Sequence, residues 1–327
     1  MKSFRALLPC LLLLFSCSAQ RPMIQPRALQ PGDRIALVTP SFVHPLEAVD
    51  TLEKILADWG YETVRGPRVG AIYADAYGGT AAERAEDLRW ALTDPEVDAV
   101  LCVWGGYGTL HLAGLMEDED FRKDPKWLIG FSDITTLNLL AFNAGVMSLH
   151  ATLGDFIAKF GGRDASSLAL RDFLAGEPLV YEGIPAGRWD IPGEASGTFV
   201  GGNLATVIPL LGTPYDPLTG KDLILFVEEV EESYHHIDRM FNMLKLHGVL
   251  GRVRGVVLGQ FTKCGADLGY ESVEEMVVTE YLAGLGIPVL TGFPAGHEAD
   301  HNFPLVIGAP VTIKVKAEGK TLRFDLQ

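Results

Sequence analysis

Cysteine is scarce in this chain. There are four in 327 residues, and Cys10 and Cys17 stand at the very start. That leaves Cys102 and Cys264, too few for a disulfide framework and without the Cys-x-x-Cys spacing of a thiolate-held zinc. Each sits in or beside an apolar run, Val100 to Val103 and Val257 to Cys264, and reads as a buried free thiol. Basic clusters are missing too. Lys and Arg number 27 against 42 acidic residues, a net charge of −15 with no Lys/Arg run. Nucleic acid is excluded as a partner, because phosphate binding needs a basic footprint. Internal repeats and low-complexity tracts are also absent, which excludes solenoids and disordered tails.

What is present begins with a leader. Lys2 and Arg5 make a positive start, Ala6 to Phe15 an apolar centre too short to span a bilayer, and Ser16 to Ala19 a small-residue cleavage site. Residues 1–20 therefore read as an export signal and the rest as an exported, periplasmic protein. Leu14-Phe15-Ser16-Cys17 also has the form of a lipobox, which would leave a lipidated Cys17 as membrane anchor. Simple cleavage near Ala19 is the alternative.

Periodicity then divides the chain. Arg34 to Thr39 is a short apolar strand, and Leu46, Val49, Leu52, Leu56 and Trp59 follow at helical spacing up to Gly60. Thr80-x-x-Glu83 is a capping box, and Asp94-Pro95 stops its helix. Ala99 to Trp104 is the next strand, Gly105-Gly106-Tyr107-Gly108 a tight loop, and Thr109-Leu110 the start of another helix. Strand and helix alternate, which predicts an α/β N-terminal domain over 30–183: a Rossmann-like parallel sheet with helices on both faces. After the Gly183–Gly193 linker the pattern becomes strand-rich: 197–200, 223–227, 253–261, 287–290, 311–315 and 322–326. Pro288 limits the fourth of these to a sheet edge. With helices near 235–246 and 272–285, this predicts a C-terminal α+β domain over 194–327.

Three motifs can carry chemistry. Lys126 to Leu137 runs from an apolar strand through Gly130-Phe131-Ser132-Asp133 into a helix, so Ser132 is either a helix N-cap or a serine held on a nucleophile elbow. The Gly105–Gly108 loop also lies at the carboxyl end of a strand, where backbone amides approach an anion or oxyanion. Both lie where open α/β sheets place their ligands. Glu228 ends the strand Leu225-Phe226-Val227, while Glu229, Glu231 and Glu232 read as a solvated acidic cluster with no role. Gly296-His297-Glu298-Ala299-Asp300-His301 contains a formal His-Glu-x-x-His, but Pro294, Gly296 and Pro304 leave no room for the helix a zincin needs. His297 instead reads as a turn-held general base, and no metal or other cofactor is expected. His150 follows an apolar run near the elbow and reads as lining the site. His235 and His236 read as surface, and His44, His111 and His247 show no partner.

Taken in order, these segments resemble the serine LD-carboxypeptidase family, which includes microcin-immunity peptidases. The resemblance rests on Gly32 to Ser41, Thr80 to Leu88, Gly105 to Gly108, Gly130 to Thr135, Gly201-Gly202-Asn203-Leu204, Val227-Glu228 with Ile237 to Met240, and Gly296 to Glu298. It implies Ser132 as nucleophile and Glu228 and His297 as the rest of a triad. The amides of Gly106 and Asp133 become oxyanion donors, with Tyr107, Trp104 and Asn203 beside the substrate. The implied reaction is metal-free hydrolysis of the amide before a C-terminal D-residue, releasing D-alanine from a cell-wall tetrapeptide. The implied partner is a muropeptide or other small peptide, and the implied assembly a homodimer. Trp104 stands where many relatives have Arg, and His150-Ala151-Thr152 where they often read His-Gly-Pro; both bear on substrate choice. Two rivals remain: a peptidase for a peptide-like antibiotic or other carboxylate-terminated amide, and a non-catalytic periplasmic binding lipoprotein.

Overall fold

A computed structural model describes residues 22–298 and 301–327. The expected export signal and the lipobox cysteine lie outside the described residues. Among those described, no helix is long and apolar enough to cross a membrane.

The N-terminal half builds strands β1 (Arg34–Val38), β2 (Glu62–Arg65), β3 (Ala99–Cys102), β4 (Trp127–Ile129) and β5 (Ser148–His150). Its helices are α1 (Leu46–Asp58), α2 (Ala81–Thr93), α3 (Asp118–Arg122), α4 (Thr135–Ala144), α5 (Gly154–Phe160) and α6 (Ala165–Leu174). The second half adds β6 (Val180–Ile184), β7 (Gly193–Asn203), β8 (Leu223–Val230), β9 (Val253–Thr262), β10 (Val289–Leu290), β11 (Leu305–Ile307), β12 (Pro310–Lys316) and β13 (Gly319–Phe324). Helices α7 (Leu204–Val207), α8 (Tyr234–Leu246) and α9 (Val273–Val277) lie among them.

Two sheets result. The first has the order β11-β5-β4-β3-β1-β2 and is parallel except for β11, which runs antiparallel to β5. Both faces are covered, which is why its strands are continuous apolar runs. Ile35, Leu37, Leu101 and Ile129 pack with Leu52 and Leu56 of α1. Ala36, Val38, Val100 and Leu128 turn the other way, toward Leu88 of α2 and Leu137 of α4. The second sheet has the order β10-β9-β8-β7-β12-β13-β6, with β7 to β10 parallel and the remaining pairs antiparallel. The chain is thus α/β with two domains, and β10, the Pro288 strand, is an edge.

Local signals account for most boundaries. The Thr80–Glu83 capping box forms as read, with both reciprocal bonds made. Some expectations need correcting. The helix after Gly108 is only a 3₁₀ turn, Thr109–Leu112, because Thr109 is held by Asp133 instead of continuing a helix. The helix near 272–285 is α9 followed by a π-helical turn, Val278–Leu282. Cys102 is buried as expected, whereas Cys264 is only half-buried. The segment after Pro304 becomes β11 and joins the first sheet, not the second.

In the first sheet the order reverses beside β1, whose neighbours are β2 and β3. The loops after β1 and β3 meet at the carboxyl ends of their strands, where Phe42 N donates to Gly105 O at 3.1 Å. From the second sheet, the end of β7 reaches the turn after β4, where Asn203 N donates to Thr135 Oγ1 at 3.1 Å.

Candidate active site

Ser132 takes φ of +64°, a left-handed conformation in a residue with a side chain. Such strain costs about 1–3 kcal/mol and persists where neighbours over-determine it. Here Asn138 Nδ2, one helical turn into α4, donates to Gly130 O at 2.9 Å and pins the strand end to the helix. The sharp turn lifts Ser132 Oγ to 2.9 Å from His297 Nε2.

His297 comes from the other half of the chain, on a loop whose described residues, 291–298 and 301–304, are not helical. Two side chains shape that loop. Gln260, on β9, accepts from Glu298 N at 2.8 Å and donates to His301 O at 2.8 Å. Asn302 accepts from Gly296 N at 3.0 Å while its own N–H reaches Ser166 Oγ at 2.7 Å. Glu228, fully buried near the end of β8, places Oε2 2.7 Å from His297 Nδ1. A carboxylate can only accept there, so Nδ1 carries the proton and Nε2 is left as the base facing Ser132. Burial works against a charged imidazole, but the charge and hydrogen bond of Glu228, with added charge from Glu229 and Glu231, win. His297 therefore titrates above its ordinary value. Both of its nitrogens are engaged, one by a carboxylate and one by a hydroxyl, so it is not free to ligate a metal. Among the described residues no group of three His, Cys, Asp or Glu is placed to hold one.

His150 does not line an open cleft. It is fully buried beneath the serine and histidine, with its ring 5.5 Å from Phe131 and 4.9 Å from Phe226. Burial lowers its pKa to about 4, so it is a neutral imidazole at ordinary pH.

The glycine loop meets the elbow directly. A Cβ on Gly105 would lie 3.5 Å from Ser132 Oγ. Gly106 has φ of +102°, and a Cβ there would come within 2.4 Å of the Phe42 ring, so only glycine fits. Asp133 fastens this loop: its buried Oδ2 accepts from Thr109 N at 2.9 Å and Ser41 Oγ at 2.6 Å, and its carbonyl accepts from Thr109 Oγ1. Arg84 of α2 is a second brace. Its guanidinium is buried and donates to Gly108 O at 3.1 Å, Gly79 O at 3.3 Å and Pro40 O. Burial lowers its pKa. Gly106 and Asp133 thus sit on two braced loops beside Ser132.

At the rim, Trp104 is half-buried with its ring 4.5 Å from that of His44. Tyr107 is 51% exposed, with His111 at its edge 5.5 Å away. Both histidines thus have the partners that the sequence did not reveal. Asn203 is buried: Oδ1 caps α7 through Thr206 N at 3.2 Å, and Nδ2 donates to Glu229 at 2.9 Å. Glu229 corrects the expectation of a solvated cluster. It is only 2% exposed, because along a strand consecutive side chains point to opposite faces and both faces here are covered. Arg84, Gln260, Asn302 and Glu229 all escaped the sequence reading. Only a charged residue inside an apolar strand, as at Glu229, left any trace.

Comparison with known proteins agrees with this layout. Residues 35–151 match the LD-carboxypeptidase N-terminal domain and residues 196–313 the LD-carboxypeptidase C-terminal domain. A Synechocystis protein named as a carboxypeptidase is 37% identical, over 86% of this chain and 91% of its own. The murein tetrapeptide carboxypeptidase of Pseudomonas aeruginosa is 29% identical, over 84% of this chain and 91% of its own. Among solved structures, the muramoyltetrapeptide carboxypeptidase of Oxalobacter formigenes superposes with a TM-score of 0.79 at 25% identity, covering 89% of this chain and 98% of that one.

Proposed function

The chain belongs to the LD-carboxypeptidase family, a family of hydrolases, and on that premise we propose that it is a serine carboxypeptidase releasing D-alanine from peptidoglycan tetrapeptides. The observation that supports this most directly is the unbroken chain Ser132 Oγ to His297 Nε2 at 2.9 Å and His297 Nδ1 to Glu228 Oε2 at 2.7 Å.

Serine is a weak nucleophile at its own pKa and needs an adjacent base. In the proposed mechanism Ser132 Oγ attacks the carbonyl before the terminal D-residue while His297 Nε2 takes the hydroxyl proton. Glu228 holds the imidazole tautomer and stabilises the imidazolium that forms. The oxyanion is met by the amides of Gly106 and Asp133. Collapse breaks the C–N bond; His297 gives its proton to the leaving D-alanine amine, and the peptide remains as an ester on Ser132. Water, deprotonated by the same imidazole, then frees the shortened peptide. With the expected leader removed, the enzyme would meet muropeptides outside the cytoplasm.

The test is turnover of purified disaccharide-tetrapeptide by the wild type and Ser132→Ala, read by mass spectrometry as loss of one alanine. Loss with the wild type and a fall of at least about 10⁴-fold in the variant are expected. Equal loss with both would remove Ser132 from the mechanism. No loss with either would turn the search to other carboxylate-terminated amides.

A further inference from the structure

Two consecutive carboxylates on β8 are buried, and the mechanism uses only the first. Glu229 Oε1 accepts from Asn203 Nδ2 at 2.9 Å and Val230 N at 2.9 Å, and Oε2 accepts from Ala205 N at 2.7 Å. The side chain thus closes the turn from the end of β7 into α7. That turn is also where the second sheet touches the nucleophile helix. Asn203 N donates to Thr135 Oγ1 at 3.1 Å, and a Cβ on Gly202 would lie 2.6 Å from the same threonine. Thr135 is the first residue of α4, directly behind the Ser132 turn. An unbroken path therefore runs from Glu229 through Asn203 and Thr135 to the serine elbow, while Glu229's chain neighbour Glu228 holds His297.

We infer that Glu229 is a positioning residue which registers the glutamate–histidine half of the site against the serine half. It rests on the triad reading above and adds to it a residue that touches no reacting atom. Three donors converge on the carboxylate, and that favours its ionised form. Against this, burial and then the charge of Glu228 push its pKa up to about 7. The other ionisable groups near it are His297 and Cys264, whose thiol lies against the Glu229 carbonyl. The group therefore changes charge near neutrality. Above about pH 7 it adds a negative charge near His297, and below that it does not.

Glu229→Gln keeps the shape and removes the charge, and Glu229→Asp keeps the charge on a shorter arm. His297 is titrated in the free protein by NMR, with amide exchange followed at Asn203 and Ala205. In Glu229→Gln, His297 is expected to titrate roughly half a pH unit lower than in the wild type, and Ala205 N to exchange faster. Glu229→Asp should restore the His297 titration but not the Ala205 protection. On the disaccharide-tetrapeptide the Gln variant should lose about 10-fold in kcat with KM little changed, since it disturbs geometry around the transition state and not peptide binding. An unaltered His297 titration with unaltered amide protection would overturn the inference. A Ser132→Ala enzyme that still turned over would sink the triad reading instead, and the two failures are read from different samples.

Discussion

The decisive residue-scale contact is the one between Glu228 and His297. The carboxylate is fully buried and spends one oxygen on the imidazole, so its charge is felt there with little screening by solvent. Removing that charge should lower the basicity of His297 and release the tautomer. We expect Glu228→Gln to cut kcat/KM by roughly 10³–10⁴-fold on the plateau. The acid limb of its pH profile should also move to lower pH, since the limb reports protonation of His297 in the free enzyme. A limb that stayed in place while the rate fell would mean that another group titrates. Stability gives an independent sign. His297 titrates higher folded than unfolded, so the pair stabilises the fold fully below the unfolded imidazole value and less as pH rises through the folded one. The stability gap between wild type and Glu228→Gln should accordingly shrink as pH is raised across that window.

At the scale of elements, the loops after β1 and β3 and the serine turn are held to one another by Asp133. Its carboxylate satisfies a backbone amide on one loop and a hydroxyl on the other, and its own amide is a candidate oxyanion donor. Asp133→Ala would strand the buried Thr109 N–H without its acceptor, a loss of about 1–3 kcal/mol. The glycine loop should then drift from Ser132. The expected kinetic signature is a fall in kcat of about 10²–10³-fold with KM nearly unchanged, since oxyanion donors act chiefly on the transition state. A rise in KM alone would place Asp133 in ground-state binding. These elements also show how far the sequence was legible. Apolar runs announced β1, β3 and β4, and Thr80 with Glu83 announced α2, because those signals are local. Ser132 was legible as the residue on the turn after β4, whereas Glu228, inside β8, and His297, in the loop beyond β10, were legible because their motifs resemble a family. Arg84 and Asn302 were not, since their bonds reach Gly108 and Ser166, far away in sequence. Glu229 was misread because four acids close together look like a solvated face until both sides of β8 are seen to be covered.

For the whole molecule the question is whether two sheets mean two independent folding units. The pairing argues otherwise. β11 lies beyond every other element of the second half except β12 and β13, yet it completes the first sheet, with Leu305 opposite His150 and Ile307 opposite Ser148. A chain ending at the linker would leave the backbone groups of β5 unpaired at an apolar edge, the situation that invites aggregation. From the other end, Ile24 bridges to Val146, and the Trp127 indole donates to Arg27 O at 2.9 Å. The inner edge is further fixed by Gly202 against Thr135 and by Asn302 N on Ser166. Calorimetry on residues 22–327 should therefore show one transition, with calorimetric and van't Hoff enthalpies equal. A fragment covering 22–184 should fail to give a soluble, cooperatively folded species. Two resolved transitions, or a well-folded fragment, would show that β11 only decorates the first sheet. The catalytic consequence follows from the same strand. β11 follows His297 in the chain, so the pairing of β11 with β5 ties the segment that carries His297 to the sheet that carries Ser132.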